Sequence, residues 1–505
     1  MSSAGNAAGL AQHFTPPAVA QFVWDAVRAL AGKDLDAGSR VIDPAAGEGA
    51  LLAVVDRAYR ITGVEIDARL AERGECAADQ FYTGDGLLGA FPQVVDDRFD
   101  CVLANPPFGK IRSVLPLLGH EKESSLGQRF NLMDIMAIKR LDSFPIELLF
   151  VERALQLVRP LGWLALILPE GFFANARLQV ARDWLLQRAE VRAVVALPDA
   201  VFRRKGLNAH TALIVLRRRE GQSRSKARLI APRAQNQDLD LYLQDALQLL
   251  KAPVRKQDGA KLVSLSQREL STRRWDPRYW QGHKALWGLA GRLQLVSLGD
   301  YIRHLTYGPI VTGSRPGHVD AGVPVIRQGD IVETGLDEGD LLCVQPQGRH
   351  DPLRSRVCCG DLLLPRSGTG ALGQNRLAVY LGRGPANVGC FVDLIRLEGL
   401  NPFYAWFFFK TRPGREQIAA CANGVGTPNI SFGEIRSLQI AALAKTRQQE
   451  LEGRYRREVW PLHRRRREDE AIRLEGEYRF RAIVDDLERY LEGAKWRLVS
   501  RSRPH

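Results

Sequence analysis

The segment "FDCVLANPPFG", residues 99–109, ends an apolar run in a polar amide, two prolines and an aromatic ring. A proline pair closes a strand for backbone reasons alone, because proline cannot donate into a sheet. That accounts for Pro106 and Pro107 and leaves Asn105 and Phe108 without a role. Chemistry supplies one. The Asn105 amide oxygen and the Pro106 carbonyl are neighbouring acceptors, suited to the two N–H groups of an exocyclic amine on a planar ring. Proline fixes the backbone and leaves its carbonyl without a competing donor. Phe108 adds a flat face on which such a ring can stack, worth roughly 1–3 kcal/mol per base.

Three further strand ends carry ligand-binding residue types. In "VIDPAAGEGALL", Gly47 and Gly49 let the backbone approach a ligand, and Asp43 ends the strand at the crevice; glycine also serves close helix–sheet packing. The next strand reads "GVEID", with Glu65 about twenty residues on, where an acidic side chain binds ribose hydroxyls. A third end, "TGDG", places Asp85 in the same crevice. Any one Asp at a turn is ordinarily a cap. Three in sequence order, with no Walker phosphate loop, favour an adenosine-bearing cofactor.

The elements that must position these residues follow a β–α rhythm. From 40 to 217, the runs "RVID", "RITGVEI", "FDCVLA", "GWLALILP", "VRAVVALP" and "TALIVLRR" alternate with helical patterns, which predicts an α/β fold with a mainly parallel sheet. A helix is expected over "FTPPAVAQFVWDAVRALAG", with Thr15 as N-cap, Pro16 at the first helical position and Gly32 as its stop. Residues 110–142 read as an insertion or mobile loop. Composition shifts place the first domain at 1–220 and a connecting segment at 221–292. Short strands broken by Gly and Pro mark a second, β-rich domain at 293–442. The charged remainder, 443–505, reads as long helices interrupted or restarted at Pro461.

Composition bounds the partners. At 505 residues, two or three domains are expected. A formal charge of +14 fits a polyanionic partner, although an Arg-rich genome would produce the same excess. Seven cysteines with one adjacent pair, Cys358 and Cys359, form neither a disulfide framework nor CxxC zinc spacing, so a reducing cytoplasm and no metal site are expected. No basic n-region precedes an apolar h-region, and no apolar run approaches ~18 residues, so neither secretion nor membrane spanning is expected.

The order "HFTPP", "DPAAGEG", "GVEID", "TGDG", "NPPF" resembles the gamma class of DNA adenine amino-methyltransferases, over about residues 12–217. The resemblance implies a Rossmann-like domain using S-adenosylmethionine. By it, Phe14 and Thr15 contact the methionine part of the cofactor. Asp43, Ala45, Gly47 and Gly49 line it, Glu65 holds the ribose, and Asp85 with Phe108 borders the adenine ends. Asn105, Pro106, Pro107 and Phe108 form the catalytic motif, and Phe202 in "LPDAVFRRKGLNAHTALIVL" is a second aromatic against the extruded base. Two departures stand out: Phe replaces the frequent Tyr at the motif's end, and "ALL" follows the glycine turn where a Phe is common.

The segments "PVIRQGDI", "GDLLLPRSGTGALGQN", "NPFYAWFFFK" and "ANGVGTPNISFGEIRSLQI" resemble, in order, target recognition domains of Type I restriction specificity subunits. Arg327, Arg366, Ser367, Thr369, Asn375, Arg376, Thr427 and Asn429 are then donors or acceptors for phosphates or base edges. The charged tail resembles the helical spacer of those subunits, which usually carry two recognition domains. Pairing of two chains through the tail would restore two half-sites; a solvated helix face is the plainer explanation of "RRRRED".

The resulting expectation is a DNA adenine methyltransferase acting on duplex DNA in a restriction-modification or phage-defence system, any cutting being done by a separate protein. Methylation of a protein glutamine or an RNA base fits "NPPF" but not the second domain or the charge. A non-catalytic DNA-recognition or assembly subunit fits the tail but not the intact cofactor and catalytic motifs.

Overall fold

The computed structural model describes residues 15–493, apart from 90, 92–93, 112–125, 127, 137–142, 199–200, 202–210, 222–224, 233–237, 254–261, 272, 312–318, 383 and 422–428, and leaves the side chain of residue 369 undescribed. The chain divides into two compact units, Met1–Gln281 and Gly282–His505.

The first unit is built on nine strands: β1 Arg40–Asp43, β2 Arg60–Glu65, β3 Gln80–Thr83, β4 Phe99–Ala104, β5 Val158–Pro169, β6 Ala189–Ala196, β7 Thr211–Arg218, β8 Lys226–Ile230 and β9 Leu262–Ser266. Their order is β3-β2-β1-β4-β5-β7-β6-β8-β9. Strands β1 to β5 pair in parallel, and β7 runs antiparallel to both β5 and β6. The sequence order reverses between β1 and β4, leaving a crevice at their carboxyl ends, where open α/β sheets bind ligands. Fully buried Val41, Ile42, Val102, Leu103, Leu164 and Ile167 fill the sheet centre, as strands covered on both faces require.

Helix α1, Pro17–Ala31, covers one face with Val19, Phe22, Val23, Trp24 and Val27. Its start differs from expectation by one residue. Pro16 is the N-cap, Pro17 takes the first turn, and no side chain caps the helix. Thr15 stands one residue before the cap, and its hydroxyl accepts a hydrogen bond from Asn105 instead. Gly32 ends the helix as expected, at φ +55° with its N–H donated to the Arg28 carbonyl. Helix α2 spans Ala68–Gly74, α3 Ile146–Leu157 and α4 Gln179–Arg188.

Residues 221–281 do more than connect. Strands β8 and β9 extend the sheet beyond β6, and α5, Leu239–Lys251, packs Tyr242, Leu243, Ala246 and Leu250 into the core beneath α1. The basic run before β8 looked like a linker because only Ala227, Leu229 and Ile230 of that strand are buried. Three inward side chains suffice for a strand one place in from the edge.

The second unit holds two four-stranded sheets. One is ordered Ile302–Tyr307, Val392–Leu397, Leu362–Pro365, Ala378–Val379; the other is ordered Leu342–Val344, Val323–Ile326, Ala386–Val388, Arg356–Val357. Helix α6, Pro402–Lys410, is buried along its whole length, starting from an Asn401 cap. The charged tail folds back onto it: Tyr455 and Phe480 ring-pack with Trp406 and Phe407 at 5.0–6.3 Å. Phe480 belongs to the long helix Glu470–Leu491, here α7. The tail therefore covers an aromatic helix of its own unit.

Candidate active site

Four strand ends meet in the first unit, and backbone hydrogen bonds fasten them. The Glu65 carboxylate, at the end of β2, accepts the Gly47 N–H at 2.8 Å and the Asp67 N–H at 2.9 Å. The glycine turn of β1 is thus locked to β2, and each carboxylate oxygen retains a lone pair for ribose hydroxyls. The Glu65 carbonyl also accepts the Gly84 N–H at 2.7 Å, bringing in the turn after β3. A Cβ at Gly86 would lie 1.9 Å from the Pro44 carbonyl oxygen, so the "TGDG" and "DPAAGEG" turns touch where only glycine fits. Gly47 lies at φ +56° with open space where a Cβ would stand, an approach left clear for a ligand.

Asp43 is 2% exposed, and its Oδ1 accepts the Ala45 N–H at 2.9 Å. Burial, with the Glu65 charge nearby, pushes its carboxyl up to about 8. Glu65 is also raised by burial, against the pull of its backbone donors. Asp85 caps its own turn by accepting from Leu87 and Leu88 at 2.9 and 3.3 Å.

At the end of β4, Asn105 Nδ2 donates to Thr15 Oγ1 at 3.0 Å. That bond fixes the amide plane and turns Oδ1 into the acceptor on the other side. Pro106 is buried, while Pro107 and Phe108 are half-buried, Phe108 resting against the core that contains α1. Helix α3 holds this loop from below. Glu147 accepts the Gly109 N–H at 3.1 Å, and the Gly109 carbonyl accepts from Ile146 at 2.9 Å. Burial pushes Glu147 up to about 7. Nearly two turns further along, Arg153 donates to the Gly86 carbonyl at 3.2 Å and to Asp96 at 2.5 Å. A single helix thus grips both the "NPPF" loop and the "TGDG" turn. Glu147 and Arg153 escaped the sequence reading, although charges inside the apolar run "IELLFVERAL" were a signal.

The structure brings together Thr15, Asp43, Ala45, Gly47, Glu65, Asp85 and Asn105 through Phe108. Phe14 and Phe202 lie outside the described residues. In the second unit several of the expected DNA contacts are engaged by partners within the protein. Arg327 is clamped on Asp330 by bonds of 3.1 and 2.8 Å. Arg366 pairs with Asp393 at 3.1 Å and stacks over Tyr307 at 4.1 Å. Ser367 bridges Asn429 in an antiparallel pair. Asn375 is buried in a left-handed turn at φ +51°, its amide donating to the Phe409 carbonyl at 2.7 Å. The amide is spent inside the protein, as a turn residue's would be. Arg376 is half-buried, Thr369 is described by backbone alone, and Thr427 lies outside the described residues. Among the described residues, no three His, Cys, Asp or Glu side chains are grouped to hold a metal, and no helix is long and apolar enough to cross a membrane.

A parallel sheet reversing at β1 and β4, closed by an antiparallel β7, with acidic strand ends and an acceptor-rich fourth end, defines an S-adenosylmethionine-dependent methyltransferase fold. Residues 2–240, most of the first unit, match the family model described as N-6 DNA Methylase. No curated protein matches the chain in sequence. Among solved structures, a type I restriction-modification methyltransferase subunit from Streptococcus thermophilus is 17% identical over 54% of this chain and 64% of that one, with a TM-score of 0.41. The type IIG restriction endonuclease BpuSI is 14% identical over 96% of this chain and 67% of that one, with a TM-score of 0.47. A class I S-adenosylmethionine-dependent methyltransferase from Listeria monocytogenes is 16% identical over 49% and 73%, with a TM-score of 0.38.

Proposed function

We propose that the chain methylates the N6 amine of an adenine extruded from duplex DNA at a defined sequence, as the modification enzyme of a restriction or phage-defence system. The observation that carries this reading is the Asn105–Thr15 hydrogen bond at the end of β4, which presents an oriented amide acceptor beside the acidic cofactor crevice. Asp43, Gly47, Glu65 and Asp85 fit S-adenosylmethionine: buried carboxylates at strand ends for its hydroxyl and amine donors, and open space beside Gly47.

When bound, S-adenosylmethionine supplies an electrophilic methyl group on sulfur. The protein's own part is positioning and charge stabilisation. The adenine amine is a poor nucleophile because its lone pair is delocalised into the ring. Asn105 Oδ1 and the Pro106 carbonyl accept its two N–H groups and favour a more tetrahedral nitrogen. Phe108 stacks on the ring and sets its plane. Thr15 keeps the Asn105 amide from rotating, and Glu147 holds the loop's backbone. A duplex base reaches such a site only when flipped out.

Sequence choice then falls to residues 293–442 as a target recognition domain like those of Type I specificity subunits, with any nuclease a separate partner and the cytoplasm as the compartment. Arg327, Arg366, Arg376 and Asn429 remain its proposed DNA contacts. A homodimer through the tail is part of the proposal: Leu474 and Tyr478, one turn apart on α7, are 51% and 59% exposed. Leu474→Glu with Tyr478→Glu in the full chain tests it by sedimentation, a single mass for parent and variant counting against pairing.

Base-resolved methylation sequencing of DNA from cells expressing this chain alone tests the reaction. Modified adenines in one sequence context are expected. Unmodified DNA in cells that hold the folded chain would remove the single-chain reading, and modification without context would remove the recognition domain.

A further inference from the structure

The second unit contains a pocket that the methyl-transfer chemistry does not use, and of its lining only Arg376 is among the proposed DNA contacts. It has a volume of about 430 Å³ and is lined by Arg376, Arg466, Arg467, Arg473 and Arg481, against the carboxylates of Glu333, Asp337 and Glu477. It lies where the turn after Gly368–Leu372, the segment around Val332–Asp337 and the tail helices come together.

The carboxylates are already engaged. Glu333 pairs with Lys410 at 2.7 Å, Asp337 takes both Arg466 and Arg467, and Glu477 accepts from Arg473 at 2.9 Å. Arg376 and Arg481 line the same space with no carboxylate partner among the described residues. The excess charge is crowded. Arg466 is depressed by burial and by Arg467, and Arg376 adds to the forces that hold down the buried Lys410 ammonium. Like charges gathered in a concave, partly desolvated site repel one another unless an anion sits among them. Guanidinium forks match the geometry of phosphate oxygens, which can accept several N–H groups at once.

We propose that this arginine-lined pocket is a phosphate-binding site, with Arg376 and Arg481 as the groups that hold the phosphoryl oxygens. A DNA phosphodiester and a free phosphate share that chemistry. The first source rests on the DNA reading above, and the second does not.

The test uses the full chain, its Arg376→Gln/Arg481→Gln variant and the Arg481→Gln single variant, which stands in if the double fails to fold. In one arm, a 30-base-pair duplex is bound over a range of salt. Each lost phosphate contact makes the slope of log K against log salt shallower by about one, uniformly across sequences. In the other arm, the melting of the second unit is followed in inorganic phosphate against chloride at equal ionic strength, a phosphate-specific rise being expected in the parent and reduced in the variants. A change in either arm supports the site and names its source. Unchanged salt slope together with no phosphate-specific rise, in variants that melt like the parent, overturns it. A parent that responds to phosphate yet binds no duplex would keep the pocket and remove the DNA reading.

Discussion

The acids that pin strand and helix ends in the first unit are held differently from four buried acids of the second. In the first, Asp43, Glu65, Asp85, Glu147 and Glu152 bond to backbone N–H groups at the ends of strands and helices. In the second, Asp330, Asp351, Asp361 and Asp393 are each taken by an arginine: Arg327, Arg356, Arg396 and Arg366. A carboxylate held by backbone donors pins a turn and still has lone pairs to offer a ligand. One closed by a guanidinium fork braces the fold and has little left to offer. The contrast separates acids that fasten the candidate site of the first unit from acids that brace the scaffold of the second; buried Asp276 of the first unit, paired with Arg274, belongs with the bracing kind.

The largest effect should come from Asn105→Ala. It removes the oriented acceptor and leaves the crevice intact, so kcat should fall by about 10³-fold, the scale for losing one preorganised polar group. Cofactor affinity measured by calorimetry should hold. A variant that methylates at the parent rate would end the catalytic assignment.

The scaffold side of the contrast is tested by Arg366→Leu. Asp393 is fully buried, and burial pushes it up to about 7 even with Arg366 beside it. Without the arginine it becomes an uncompensated buried charge at high pH and a neutral acid at low pH. The second unit should therefore lose about 3 kcal/mol at pH 8 and less at pH 6. An equal loss at both values would mean that the pair acts by packing alone.

Much of the first unit's candidate site was legible because the residues that build it are local in sequence. A strand, its glycine turn and its terminal acid occupy one short window, so Asp43, Gly47, Glu65, Asp85 and Asn105 could be read off in order. What escaped depends on contacts between distant residues. Glu147 meets Gly109 across 38 positions and Arg153 meets Gly86 across 67, and no spacing rule links them. Strands β8 and β9, the last two at their end of the sheet, escaped for another reason, since their few inward residues barely alter composition. In the second unit, residue type misled. Asn375 looked like a base reader, but the Phe409 carbonyl claims its amide, while Arg327 and Arg366 are tied to Asp330 and Asp393 and keep their proposed role at the DNA.

Glu147→Ala asks whether holding a backbone N–H from outside the crevice matters for rate. Losing the Gly109 anchor lets the "NPPF" loop drift, and a displacement well under 1 Å should lower kcat by about tenfold. Cofactor KM should stay near the parent value because α3 is untouched where Arg153 holds the "TGDG" turn. Glu147→Gln keeps an acceptor for Gly109 and should restore most of the rate. Equal losses in both variants would point instead to the buried charge.

The smallest effect concerns Asp43, and its sign is fixed by burial. Its carboxyl titrates near 8 in the folded chain against an ordinary value of 3.8, so the folded state keeps a proton that the unfolded state releases. Where the folded state binds more protons, stability falls as pH rises, here across about pH 4 to 8. Glu147, titrating near 7, adds to the same slope. Asp43→Asn retains an acceptor for the Ala45 N–H and cannot ionise. Its melting temperature for the first unit should therefore fall less steeply between pH 5 and 8 than the parent's, with the difference confined to that unit. A parallel shift at every pH would mean that Asp43 is already charged in the fold. It would then stand closer to the arginine-paired acids of the second unit than to the backbone-held acids of its own.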